Sequence, residues 1–167
     1  MIRSPLRAEL LGACILALSA AAPAFGPPWI SIETPANPYD AATRGALLVV
    51  HTFHHGTPTA SGVTGTAEGI VAGSRRSVRL SFDAMSRPGS YALRKQWPSD
   101  GTWMLVINTG GQAEGVTALV DIAETGDVSR VRVPTRREGA HQVPAQVTAH
   151  DIDAALAARA TARTAAR

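Results

Sequence analysis

Sulfur chemistry is almost absent from this 167-residue chain. The one cysteine, Cys14, lies within the first two dozen residues. Everything after it can form no disulfide, supply no thiolate nucleophile and build no sulfur-rich metal cage. Long apolar runs are missing too. The longest, Leu10 to Ala22, covers about 13 residues, against the ~20 that a bilayer-crossing helix needs, so no transmembrane segment is expected. Catalytic signatures are equally scarce. There is no Gly-x-Ser-x-Gly elbow and no His-Glu-x-x-His, and the acids are scattered singly. The glycine-rich stretch Gly62 to Gly69 is not followed by Gly-Lys-Ser/Thr, which reads as a twisted or bulged strand rather than a phosphate loop. Lysine occurs once against fifteen arginines, a coding bias more than a phosphate-binding design.

What is present begins with an address. Arg3 and Arg7 precede the apolar stretch LLGACILALSAAA, and Ala22-Pro23-Ala24 offers the small-x-small pattern of signal-peptidase cleavage. Residues 1–24 are therefore expected to be a signal peptide, with the working chain starting near Phe25 in an extracytoplasmic setting, periplasmic or secreted. Leu11-Gly12-Ala13-Cys14 resembles a lipoprotein box, so lipidation at Cys14 is the alternative. The formal charge of +3 is uneven. Residues 25–129 carry seven basic against nine acidic groups, whereas from Arg130 onward seven arginines face three acids. Without a dense basic face, no nucleic-acid partner is expected of the folded part.

From residue 29 on, short runs of β-formers recur every 12 to 16 residues, punctuated by Gly, Pro, Ser, Asp and Asn. Strands are expected at 29–33, 46–54, 63–71, 77–83, 90–97, 102–108, 116–122 and 129–133. That spacing predicts an all-β fold, an immunoglobulin-like two-sheet sandwich of about 7–8 strands with a short C-terminal helix. Val78, Leu80 and Phe82 alternate with polar neighbours, and Leu47 to Val50 is apolar on both faces, as a central strand would be. The segment Trp97-Pro98-Ser99-Asp100-Gly101-Thr102-Trp103 reads as a hairpin turn. The domain plan is a sandwich over 25–133, an exposed linker over 134–147, and a helix with a basic tail over 148–167. Thr148 to Asp151 forms a capping box, and the helix is expected from about Ala149 to Ala162. Arg159, Arg163 and Arg167 form a basic stripe suited to weak contact with an anionic surface. Arg76, Arg79, Arg94 and Lys95 are candidates for a second basic patch on an outer sheet face.

Pro88-Gly89-Ser90-Tyr91 followed by Gly101-Thr102-Trp103-Met104-Leu105-Val106 resembles the PG-x-Y … G-x-W-x-L-x-V pattern of YtkA-like and FixH-like extracytoplasmic domains, small immunoglobulin-like sandwiches. CopC-like copper carriers are a looser relative in architecture. The matching residues are a turn and aromatic core plugs, so the resemblance implies fold rather than activity. CopC-like proteins usually bind copper with a histidine at the mature amino terminus. Phe25 stands there, so that role is not carried over.

His51, His54 and His55 make up the one polar cluster with metal-ligand potential, and Met85 could add a soft donor for copper. On a regular strand His51 and His55 would lie about 13 Å apart at ~3.3 Å per residue, and His54 would face the other way. A shared ion would require the strand to end or bulge before Gly56. An enzyme would need a pocket where His51, His54 or His141 meets an acid and a hydroxyl. The expectation is a non-catalytic binding or accessory domain of the cell envelope with an unidentified protein partner. Copper handling through His51, His54, His55 and Met85 is the alternative.

Overall fold

The computed structural model describes residues 28–110 and 115–165, with side chains through Thr161. The expected signal segment, Cys14 and Arg167 lie outside the described residues. In chain order the elements are β1 (Trp29–Glu33), a 3-10 turn (Ala41–Thr43), β2 (Leu48–His54), β3 (Thr57–Pro58), β4 (Val63–Val71), β5 (Ser74–Arg79), β6 (Asp83–Ala84), β7 (Ser90–Leu93), β8 (Thr102–Thr109), β9 (Val116–Ile122), β10 (Val128–Arg132), β11 (Thr135–Glu138), β12 (His141–Pro144) and α1 (Ala149–Ala165).

β1 to β10 form an all-β, two-sheet sandwich, β11 and β12 a separate two-stranded sheet, and a short C-terminal helix follows. The first sheet runs β1-β2-β7-β6, with β3 paired to β2, and the second runs β10-β9-β8-β4-β5; all pairs are antiparallel. Period-two burial explains why the sheets face each other. Ile30, Leu48, Val50 and Leu93 from the first sheet meet Ala67, Trp103, Leu105, Ile107, Ala118, Val120 and Ile122 from the second. Each such large side chain, once buried, contributes roughly 1.5–3 kcal/mol of transfer free energy. Val78, Leu80 and Phe82 also join this core, and β2 lies centrally between β1 and β7, as its two-faced apolar pattern predicts.

The outer face of β8 and β9 is apolar as well. Met104, Val106 and Leu119 are covered by Leu156 of α1, with Ile152, Ala155 and Val147 around it. The helix thus docks on the second sheet. Its start is closed as the capping box predicts: Thr148 N–H donates to the Asp151 carboxylate (2.8 Å) and Asp151 N–H donates to Thr148 Oγ1 (3.2 Å). Among the described residues no helix is long and apolar enough to cross a membrane.

Four expectations change. The 97–103 segment is not a hairpin: β7 pairs with β2 and β6, whereas β8 pairs with β4 and β9, so the segment crosses from one sheet to the other. Trp97 and Trp103 plug the same core, and Trp103 Nε1–H donates to the Asp100 carbonyl (2.7 Å). The stretch 134–147 is exposed but not unstructured, because β11 and β12 form a two-stranded hairpin within it. That hairpin is tied down at its base, where Ala145 bonds Pro134 (2.9 Å) and Thr117 bonds Ala145 (3.1 Å). The stretch 63–71 is a strand, as expected, but its glycines sit in a regular register with β8, and the register shift in the second sheet falls in β10 instead. Gly69 is required there because a Cβ would come within 2.5 Å of the Trp103 ring.

The expected basic groupings also change where their residues are described; the Arg163 side chain and Arg167 lie outside the described residues. Arg159 is not part of a solvent-facing stripe: it pairs with buried Asp121 (2.8 Å) and donates to the Ile122 carbonyl (2.9 Å). Arg76 and Arg79 belong to β5 of the second sheet, while Arg94 and Lys95 follow β7 of the first. Arg94 pairs with Asp83 and Lys95 donates to Ser99, so the four form no common face.

Candidate functional site

Along β2, Leu48 and Val50 face the core, so Val49 and His51 project from the outer face of the first sheet. Register decides what His51 meets there. Ser90 of β7 lies directly opposite it, and Glu33 of β1, opposite Val49, is its diagonal neighbour. All three side chains connect. His51 Nδ1 lies 3.0 Å from Ser90 Oγ, and His51 Nε2 lies 2.9 Å from Glu33 Oε2. An ionised carboxylate only accepts, which places a proton on Nε2, and in the neutral imidazole Nδ1 then accepts from the Ser90 hydroxyl.

Two connections fold over this face. In the β1–β2 connection, Asn37 N–H donates to Glu33 Oε1 (3.1 Å), Ala42 N–H donates to Asp40 Oδ1 (2.9 Å), and the buried Thr43 hydroxyl donates to the Asp40 carbonyl (2.9 Å). On the other side, Met85 N–H donates to the Ser90 carbonyl (2.9 Å) and Ser90 N–H to the Arg87 carbonyl (3.2 Å). Gly89 makes that turn possible: its φ is +70°, and a Cβ would come within 2.7 Å of the Thr52 and Thr59 carbonyls. Between the two walls lies a cavity of about 160 Å³ bordered by Glu33, Asp40, His51, Met85, Arg87 and Ser90, among others.

The predicted metal set is divided by this geometry. His51 and Met85 border the cavity. His54 ends β2, and His55 (φ +52°) with Gly56 (φ +74°) makes the two-residue turn into β3, the positive-φ pair of a tight hairpin. The His54 and His55 rings meet edge-on with centroids 4.0 Å apart. No bulge redirects them toward His51, and among the described residues no three His, Cys, Asp or Glu side chains gather to hold an ion. His141, on β12, is exposed in the separate hairpin.

Sequence reasoning missed Glu33, Ser90, Asp40 and Arg87. The usable signal was the polar His51 in an apolar strand. Its partners depend on strand register, which no local pattern displays.

No protein-family model, curated protein or solved structure matches this chain. The site must therefore be understood from its own chemistry.

Proposed function

We propose that this chain is an extracytoplasmic binding or accessory domain of the cell envelope, and that the His51 cavity is its recognition site. The observation that carries this reading is the closed set of bonds among Glu33, Asn37, His51 and Ser90, which holds polar groups in position before any ligand arrives. Preorganisation of that kind lowers the ordering cost of binding. The export reading rests on the apolar run behind Arg3 and Arg7. Kinship with YtkA-like domains is supported by the structural use of the matching residues: Gly89 in a buried turn, Tyr91 donating to the Ser61 carbonyl (2.7 Å), and Trp103 in the core. The test is capture of an envelope component by the tagged full chain recovered from the extracytoplasmic fraction. A reproducible partner lost on His51→Ala supports the proposal. Capture unaffected by that change removes the cavity from it.

One observation favours copper handling as a second reading: Met85 borders the same cavity as His51. Imidazole with thioether suits copper(I), although His51 would have to release Glu33 or Ser90 to coordinate. Stoichiometric binding tighter than about micromolar, lost in both His51→Ala and Met85→Leu, is the expected result on that reading. Binding that survives both changes overturns it.

A further inference from the structure

We infer that Ser90 is an activated nucleophile, and that the His51 cavity hydrolyses small activated carboxylic esters through a Ser90 acyl intermediate. This rests on the reading of that cavity as a ligand site and adds covalent chemistry to it. A serine becomes nucleophilic when a base lies within hydrogen-bond reach and a third group orients that base. All three parts are present. Glu33 Oε2 accepts from His51 Nε2–H at 2.9 Å, Glu33 is itself fixed by Asn37 N–H at 3.1 Å, and in the neutral imidazole the Nδ1 lone pair faces Ser90 Oγ at 3.0 Å.

Rigidity favours the same conclusion. Ser90 has its N–H bonded to the Arg87 carbonyl and its carbonyl to the Met85 N–H, so the backbone that carries the hydroxyl is held from both sides. Ser90 is only 3 % exposed and borders a cavity of about 160 Å³, which restricts the substrate to a small acyl group. Arg87 lines the same cavity and supplies a cationic side chain at its border.

Ser90 Oγ attacks the ester carbonyl carbon as its proton passes to His51 Nδ1. The tetrahedral oxyanion then collapses, breaking the bond to the leaving alcohol, whose oxygen takes the proton from Nδ1. Water enters, gives a proton to Nδ1 and attacks the acyl carbon. Ser90 departs and recovers that proton. One ester and one water become one acid and one alcohol, with no other reactant.

The full chain is treated with a fluorophosphonate probe and, separately, with p-nitrophenyl acetate, and the adducts are mapped by mass spectrometry. One adduct on Ser90 is expected, absent in Ser90→Ala and formed about 100-fold or more slowly in His51→Gln. No adduct, an adduct on another residue, or an unchanged rate in His51→Gln overturns the inference. Ser90→Cys guards against a misfolded alanine variant: its alkylation by iodoacetamide must slow when His51→Gln is added, and equal rates count against the relay. Partner capture by the unlabelled chain without any Ser90 adduct leaves the binding proposal standing and overturns this one alone.

Discussion

Glu68 illustrates how a single side chain can tie together three elements. It lies buried on β4 and accepts from Ser77 Oγ (2.7 Å) and Arg75 Nη2 (3.2 Å) of β5, while the same Arg75 also pairs with Asp153 of α1. Burial pushes its carboxyl up, but hydrogen bonds from Ser77, Thr66 and Arg75 outweigh that and hold its pKa below the ordinary value. A lowered folded-state pKa gives stability that is complete above the unfolded value, near 4.3, and is lost as pH falls through the folded one. Chemical denaturation followed from pH 6 downward should therefore show a fall in stability below about pH 4.3 that is shallower in Glu68→Gln. Gly69, next along the strand, has a steric role. Gly69→Ala would press a methyl against Trp103, and the expected loss is about 1–3 kcal/mol in the same denaturation assay. Neither role is visible in the residue types alone, since both depend on which strands become neighbours.

At the scale of elements, α1 is held by a small apolar contact centred on Leu156, by ion pairs from Arg159 and Asp153, and by Arg159 donating to main-chain carbonyls. Leu156 supplies the burial, Arg159 reaches Asp121 at 2.8 Å, and Arg75 reaches Asp153. Leu156→Ala should cost about 2 kcal/mol or more, which is large for so small a contact. Hydrogen exchange is expected to report loss of protection in α1 while β4, β8 and β9 stay protected. Asp121 is the anion for both Arg159 and Arg132 (3.4 Å). Asp121→Asn leaves two partly buried guanidinium groups without their counter-charge and should cost about 1–3 kcal/mol, read as a lower melting temperature. Strong local pattern made some elements legible beforehand. β1, β4 and β9 fall on their expected residues because β-branched and aromatic runs end at clear turn signals. The β7–β8 connection misled because Pro98, Asp100 and Gly101 turn a chain equally well within a sheet or between sheets. The two-residue strands β3 and β6 exist through pairing alone and carry no periodicity to detect.

For the molecule as a whole, the sandwich was readable because burial on facing sheets imposes period two over long stretches, and that constraint survives errors in single strands. The candidate site was readable only as His51. Its acid lies 18 residues earlier and its hydroxyl 39 residues later, brought together by the pairing of β1, β2 and β7. Sequence spacing cannot supply such a contact unless the register is known. The four-donor metal set failed to assemble for the same reason, since His55 and Gly56 turn the chain into β3 just where a shared ion would have needed a bend toward His51.

Because Ile152, Ala155 and Leu156 of α1 cover Met104, Val106 and Leu119, the second sheet is finished by a helix that follows all of its strands in the chain. During synthesis the strands emerge with a sticky, unsealed exterior, and the helix that follows them shields it. A molecule cut short before Ala149 should therefore clump rather than merely weaken, a defect that light scattering would register at once.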